Sequence, residues 1–299
     1  MSIHPSRWIL ALLALMAAAI APVAGETAGV SPGEAVQGTL PAKKPTVPLP
    51  HKDLRADPVK RVVALGESIT WGYSASSKDQ CWVNQVVRLL EEFQGEKIEL
   101  INSGIGNNVL TPACPAYPYS TKPSALERLD ADLIRYRPDL VFLAYGLTDS
   151  RGGTPSETFR RAYQELIDRI RAKINPTIVI VTIYYMHAPF YDDVRTHMAE
   201  SNYEVTDIYN LVIKQLAEDN GLILADAYAA EKGVDWVVDQ DHVHPNDLGH
   251  RLIANRVFEA IVRNCSFTAR QMPKQTLIQA FLQKYGNGPD RPVADEQQK

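Results

Sequence analysis

The chain contains little cysteine and little excess charge, and each shortage argues against a class of protein. Only three of its 299 residues are cysteines, namely Cys81, Cys114 and Cys265, and none of them forms a C-x-x-C pair. This spacing argues against a zinc ribbon and against a thioredoxin-like redox site. The formal net charge is only −4. A balance so close to neutral gives no reason to expect nucleic acid as a partner.

Long apolar runs are scarce too, and the clearest one lies at the N-terminus. Arg7 precedes an apolar run over 8–20, and Val23 and Gly25 supply small residues after it. This is the layout of a secretory signal peptide cleaved after Gly25. An uncleaved anchor is the alternative, but the run falls short of the ~20 residues that span a bilayer. We therefore expect a signal peptide over 1–25, a secreted or periplasmic protein, and no membrane span after cleavage.

A regular alternation of apolar runs and helical patterns follows a proline-rich linker over 26–57. Five short β-rich runs occupy 61–66, 97–102, 139–145, 177–183 and 222–226. Continuous apolar strands separated by helices form parallel sheets that are buried on both faces. The sequence thus predicts one three-layer α/β/α domain over 58–265, with about five parallel strands. A polar, largely flexible tail is expected over 266–299.

Two helices are predicted in detail. The clearest should begin with Thr154 as its cap, with Pro155 at the first helical position and Glu157 completing a capping box. The last should run over about 247–262, capped by Asn246.

Export also permits a disulfide, although three cysteines leave at least one of them unpaired. Cys81 with Cys114 is the favoured pair, because both would follow strands that end at the proposed site. The alternative is three unpaired, mostly buried thiols.

Ser68 lies directly after the first predicted strand, in the segment GESITWG over 66–72. Ligands of parallel sheets bind at the carboxyl ends of the strands, so an adjacent base could activate this serine as a nucleophile. The alternative is a serine that only caps the following helix.

Asp241 and His244 lie 173 and 176 residues after that serine, in a turn that continues with Pro245. A carboxylate three residues before a histidine can orient one imidazole nitrogen and leave the other to face a serine hydroxyl. One alternative gives both residues only turn and cap roles. Another is a metal site formed by His242, His244 and His250.

Two glycine-containing turns follow the second and third strands. The first contains Gly104 and the second contains Thr148. Both turns would lie beside Ser68 at the same sheet edge. Donors there could stabilise the negative oxygen of a tetrahedral intermediate.

These four segments, in this order, resemble the four signature blocks of the SGNH/GDSL hydrolase superfamily. GESITWG resembles the nucleophile block, INSGIGN the glycine block, YGLTD the G-x-N-D block and DHVHPNDLGH the D-x-x-H block. The resemblance implies a flavodoxin-like sheet and serine ester hydrolysis without a metal or other cofactor. It also implies an oxyanion hole formed by the backbone N–H groups of Ser68 and Gly104 and an asparagine side chain.

The sequence departs from that pattern at two positions. Glu67 replaces the usual aspartate, and little consequence is expected. Thr148 replaces the asparagine of the oxyanion hole, where its hydroxyl could donate one hydrogen bond. Losing one such donor costs about 10²–10³ in rate, so Asn107 and Asn108 are considered as compensating amides.

The substrate is predicted less sharply than the chemistry. Tyr184 and His187 lie in an aromatic segment after the fourth strand, and Trp71 and Asn107 are further candidates for contact with substrate. The alternative for the aromatic segment is that it closes the core. Family and export together suggest small-molecule or polysaccharide acyl esters, for example carbohydrate acetyl groups. A lipid or lysophospholipid esterase and a non-hydrolytic glycan-binding domain are the alternatives.

Overall fold

The structure, a computed structural model, describes residues 53–186 and 203–267. The expected signal peptide, most of the linker, His187 and most of the tail lie outside these ranges. Within the described part of the chain, no helix is long and apolar enough to cross a membrane.

The described residues contain a five-stranded sheet whose paired strands all run parallel. Its strands are Arg61–Gly66 (β1), Glu99–Gly104 (β2), Leu140–Ala144 (β3), Thr177–Val181 (β4) and Ile223–Ala225 (β5), in the spatial order β2-β1-β3-β4-β5. β2 begins two residues later than predicted. The strand order is that of flavodoxin-like folds, so the predicted three-layer fold is confirmed.

Helices cover the sheet and explain why its strands are so apolar. They are Ser68–Trp71 (α1), Trp82–Gln94 (α2), Ala125–Asp132 (α3), Leu147–Arg151 (α4), Ser156–Lys173 (α5), Tyr203–Asn220 (α6), Ala227–Glu231 (α7) and Asp247–Val262 (α8). α2 packs against α8, whereas α5 packs against both α3 and α6. Every residue of β3 is buried as a result.

The register of the three central strands brings three of the predicted segments together. Gly66, the last residue of β1, is paired with Gly104 of β2 on one side and with Ala144 of β3 on the other. The nucleophile turn and both glycine-containing turns therefore leave the sheet side by side, at the carboxyl edge where parallel sheets bind ligands.

The predicted start of α5 is wrong. Pro155 is the cap, and the Thr154 hydroxyl lies 3.4 Å from Asp149 Oδ1 instead of capping the helix. The Thr154 N–H also donates to the Asp149 carbonyl, so Thr154 belongs to the preceding turn. A capping box does form at α3, between Ser124 and Glu127. The predicted bounds of α8 agree with the structure.

The favoured disulfide is not formed. Cys81, Cys114 and Cys265 are all unpaired and buried, which agrees with the alternative. Burial raises the pKa of the Cys81 thiol to about 11 and of the Cys265 thiol to about 12.

Candidate active site

Ser68 is the first residue of α1, where the chain turns sharply from β1 into a helix. The preceding Gly66 makes that turn possible: a Cβ there would lie 2.2 Å from Thr70 Oγ1 and 2.8 Å from the Ala144 carbonyl oxygen. The Trp71 N–H closes the turn by donating to the Glu67 carbonyl at 2.9 Å. Ser68 is thus presented at the end of the central strand on a rigid turn.

The structure brings Ser68, His244 and Asp241 together in one hydrogen-bonded row. Ser68 Oγ lies 2.9 Å from His244 Nε2, and His244 Nδ1 is in contact with Asp241 Oδ2. The other carboxylate oxygen accepts from the backbone N–H groups of Val243 at 3.0 Å and His244 at 2.9 Å. Burial alone would raise the pKa of Asp241, but its hydrogen bonds with His244 and Val243 lower that pKa to about 2. The carboxylate is therefore ionised at neutral pH, as orientation of an imidazole requires.

The loop that carries this pair is held at both ends. The Asp239 N–H donates to the His244 carbonyl at 2.7 Å, and Pro245 forms an isolated bridge with Val238. Asn246 caps α8 by accepting from Leu248 and Gly249, while its amide donates to the Trp236 carbonyl at 2.8 Å. Asn246 therefore fills the predicted cap position and also joins the loop to the preceding turn.

His250 supports the site and does not contribute to a metal cluster. Its Nε2 lies 3.0 Å from the Tyr73 carbonyl oxygen, and its Nδ1 lies 3.4 Å from the Trp82 backbone nitrogen. Both ring nitrogens are thus engaged by the backbone, which requires a neutral ring that donates from Nε2. Across the described residues, no three histidine, cysteine or carboxylate side chains are grouped to hold a metal ion. The alternative of a histidine metal site is not supported.

Two of the expected oxyanion donors already have partners. The Gly104 N–H donates to Asn102 Oδ1 at 2.9 Å, and the Thr148 hydroxyl donates to Glu67 Oε2. A threonine hydroxyl has one proton, so Thr148 cannot also donate to an oxyanion in this arrangement. The structure therefore differs from the expectation for both residues.

The turn that follows β2 offers other donors. Within the described ranges, the backbone N–H groups of Gly106 and Asn107 have no acceptor. Asn107 has a positive φ of 54°, and its side-chain amide donates to the Tyr119 carbonyl at 3.0 Å. Asn108 cannot compensate, because its amide donates to the carbonyls of Thr121 and Pro123. Free backbone N–H groups, rather than an asparagine amide, are thus available here.

Glu67 makes more contacts beside Ser68 than its position in the sequence predicted. It is 3% exposed, and its carboxylate accepts from the backbone N–H groups of Gly146 at 2.6 Å, Leu147 at 3.0 Å and Thr148 at 2.7 Å. The Thr148 hydroxyl is a fourth donor. Burial raises the pKa of Glu67 to about 7, and these hydrogen bonds oppose the rise. A carboxylate at the end of an apolar strand is the signal that could have revealed it, since a buried charge needs partners.

The exposed ring of Tyr73 lies beside His244, and the exposed ring of Trp71 lies next to Tyr73. The Tyr73 ring centroid is 4.2 Å from that of His244, and the Trp71 centroid is 6.3 Å from that of Tyr73. Trp71 is 60% exposed and Tyr73 is 47% exposed. The role of Trp71 in substrate contact stays a prediction, and the sequence did not point to Tyr73. Tyr184 is buried, so the alternative in which this part of the aromatic segment closes the core describes it better.

Comparisons with known proteins show the family and the fold of the chain. The sequence profile of the GDSL-like Lipase/Acylhydrolase family matches residues 64–252. An acetylxylan esterase from Geobacillus stearothermophilus is 25% identical over 189 residues, which cover 60% of this chain and 80% of that protein. A crystal structure of an acetylxylan esterase from the same organism has a TM-score of 0.53 at 20% identity, over 70% of this chain and 96% of that one. An α/β hydrolase from the metagenome of Lake Arreo gives 0.52 at 20% identity, over 68% and 95%.

Proposed function

Because the chain belongs to the GDSL-like lipase/acylhydrolase family, whose members are carboxylic ester hydrolases, we propose that it removes acetyl groups from carbohydrate esters with Ser68 as nucleophile. The observation that carries the proposal is the 2.9 Å contact between Ser68 Oγ and His244 Nε2, with Asp241 behind the imidazole. A serine, a base and an orienting carboxylate in this order are what acyl transfer requires.

In the proposed reaction, His244 Nε2 takes the proton of Ser68 as Oγ attacks the ester carbonyl carbon. The tetrahedral intermediate collapses when the C–O bond to the alcohol breaks, and the imidazolium returns its proton to the leaving oxygen. Water, deprotonated by His244, then attacks the acyl carbon of the acyl-serine. The bond from that carbon to Ser68 Oγ breaks, the acid leaves, and the imidazolium returns the proton to Oγ. The backbone N–H groups of Ser68 and Asn107 are proposed to stabilise the oxyanion, with none from Gly104 or Thr148.

The carbohydrate part of the proposal rests on the relative and on the aromatic rim. The similar protein from Geobacillus stearothermophilus is an acetylxylan esterase. Exposed Tyr73 beside His244, with exposed Trp71 next to it, suits a sugar ring, whose apolar face packs on aromatic rings. Neither the lipid alternative nor the non-hydrolytic alternative is favoured by the similar proteins. The arrangement of Ser68 and His244 supports turnover over simple glycan binding.

Export is part of the same proposal. The apolar run over 8–20 with its flanking residues supports secretion or delivery to the periplasm, where polysaccharide esters are accessible. N-terminal sequencing of the protein from the culture medium or periplasm would test it. A mature chain beginning at Glu26 is expected, and an intact N-terminus in the cytoplasm would contradict it.

The activity is tested with purified protein beginning at Glu26. p-Nitrophenyl acetate and acetylated xylan are the substrates, and Ser68→Ala is the matched variant. We expect acetate release from both by the unaltered protein and at most the uncatalysed rate from the variant. Equal rates in both proteins would contradict the assignment of Ser68. A preference for long-chain p-nitrophenyl esters over the acetate would instead favour the lipid alternative.

A further inference from the structure

The carboxylate of Glu67 accepts four hydrogen bonds from a single turn about 80 residues further along the chain. Oε1 accepts from the N–H groups of Gly146 and Leu147, and Oε2 accepts from the N–H and hydroxyl of Thr148. Both partners are almost fully buried, so water does not compete for these bonds. This contact joins the residue before Ser68 to the first turn of α4.

The turn can present three consecutive N–H groups to one carboxylate because of Gly146. Its φ is +135°, a conformation that residues with a Cβ rarely adopt. A Cβ at this position would also lie 2.8 Å from an Ile183 side-chain carbon. The backbone is thus specifically shaped to receive Glu67.

The same short helix is fixed to the turn that follows β2. Asp149, which is fully buried, accepts from the Leu110 N–H at 2.9 Å. The neighbouring Asn108 accepts at 2.7 Å from the hydroxyl of Tyr145, which is the residue directly before Gly146. α4 and the residue before Gly146 therefore connect two segments: the one that carries the Ser68 N–H and the one that carries the Asn107 N–H.

We infer that Glu67 is a positioning residue for ester hydrolysis: through α4 it holds the nucleophile turn and the turn after β2 at a fixed distance, and Thr148 serves this carboxylate rather than the oxyanion. This inference rests on the proposed function, because the two connected segments carry the proposed oxyanion donors. A displacement of either donor would weaken stabilisation of the tetrahedral intermediate, which appears in kcat and leaves ground-state binding nearly unchanged.

The test compares Glu67→Gln, Thr148→Val, the double variant and Thr148→Ser. Glu67→Gln preserves the shape but gives one acceptor oxygen where four donors need two. Thr148→Val removes only the hydroxyl. Glu231→Gln is the matched control, since Glu231 is a second buried glutamate, 1% exposed, whose Oε1 has no hydrogen-bond partner among the described residues. Kinetic constants for p-nitrophenyl acetate are measured together with thermal midpoints.

We expect Glu67→Gln to lower kcat by about 10- to 100-fold with KM changed less than about threefold, because each lost hydrogen bond to a charged group corresponds to roughly a factor of ten or more. Thr148→Val should lower kcat by about tenfold. Thr148→Ser keeps the hydroxyl, so its kcat should stay close to that of the unaltered protein. The double variant should resemble Glu67→Gln alone, because Thr148 acts through Glu67. Glu231→Gln should stay within about twofold of the unaltered protein.

Two kinetic results would overturn the inference. One is a Glu67→Gln variant with unchanged kcat; the other is a double variant whose loss is the product of the two single losses, which would make Thr148 an independent donor. Amide hydrogen exchange at Leu147 and Thr148 supplies a readout that needs no turnover. Faster exchange in Glu67→Gln than in Glu231→Gln is expected, and unchanged exchange would overturn the inference. If the unaltered protein hydrolyses no ester, the proposed function fails while the exchange result still decides whether Glu67 holds α4.

Discussion

The exchange of Asp241 for asparagine is the most direct test of how the proposed triad works. Asp241 Oδ1 accepts two backbone N–H groups, and Oδ2 faces His244 Nδ1. An asparagine of the same shape can keep its oxygen on the backbone donors, which leaves its amide N–H₂ facing Nδ1. Two donors cannot share that contact, so the imidazole proton must move from Nδ1 to Nε2.

The displaced proton would then lie between His244 Nε2 and Ser68 Oγ, where the base needs a free lone pair. His244 could no longer accept the serine proton without first changing tautomer. Serine hydrolases that depend on this arrangement lose about 10⁴-fold in rate on such an exchange. That loss corresponds to roughly 5–6 kcal/mol of transition-state stabilisation. We expect a loss of this order in kcat/KM for p-nitrophenyl acetate.

Asp247→Asn is the matched control. Asp247 lies three residues after His244 and accepts from the Ser76 backbone N–H at 2.8 Å and the Ser76 hydroxyl at 2.6 Å, without contacting the imidazole. Its kcat/KM should stay within about threefold. ¹⁵N spectra of His244 should show the proton on Nδ1 in the unaltered protein and on Nε2 in Asp241→Asn. A loss of less than about tenfold, or an unchanged tautomer, would refute the assigned role of Asp241.

Three further predictions concern neighbouring parts of the molecule. Thr148→Asn should lower kcat, because the larger side chain displaces the contact with Glu67; a rise would mean that an amide here reaches the oxyanion. Gly146→Ala should lower the free energy of unfolding, measured in urea, by roughly 2–4 kcal/mol. Gly95 also has a positive φ but has open space around it, so Gly95→Ala should lower that free energy by only about 1 kcal/mol. Equal losses would contradict the packing argument. Burial raises the pKa of Glu231 to about 8, so the stability due to its neutral form is complete below about pH 4.3 and is lost as pH rises towards 8. The difference in thermal midpoint between Glu231→Gln and the unaltered protein should therefore be larger at pH 9 than at pH 5, by on the order of 5 °C in favour of the variant. The same difference at both pH values would contradict this prediction.

The fold could be predicted from the sequence because its signal is repeated and local. Continuous apolar runs such as RVVALG and DLVFLAY have the composition of strands buried on both faces, and five of them with helices between admit few arrangements. Three of the four site segments could be placed for the same reason: each follows a strand, so the topology brings them to one edge. The segment of Asp241 and His244 follows no strand directly and leads into α8.

Beyond the row of Ser68, His244 and Asp241, the contacts of the site could not be predicted, because they depend on which partner a side chain meets from a distant part of the chain. Thr148 occupies the anticipated turn, but its hydroxyl donates to Glu67, the residue between β1 and α1, and not towards Ser68. Thr154 has the sequence of a helix cap, yet its hydroxyl lies beside Asp149. A hydroxyl can donate its hydrogen bond to any nearby acceptor, and the sequence does not reveal which acceptor is nearest.

Tyr73 and Tyr184 illustrate the same limit for aromatic rings. Tyr184 follows a strand that ends at the site, yet it is buried, while Tyr73 follows a four-residue helix and lies against His244. Residues next to the sheet edge can face inwards or outwards, and one residue of offset decides between them.

Because its three cysteines are buried, the protein is suited to chemical labelling at a single introduced cysteine. Each of the chain's cysteines is at most 3% exposed, and their raised pKa values leave almost no thiolate at neutral pH. A cysteine introduced at a surface position such as Leu211, 66% exposed, would then be the one that reacts with a maleimide. A fluorophore, a spin label or an immobilising tether could be attached there without removing any native residue from the core.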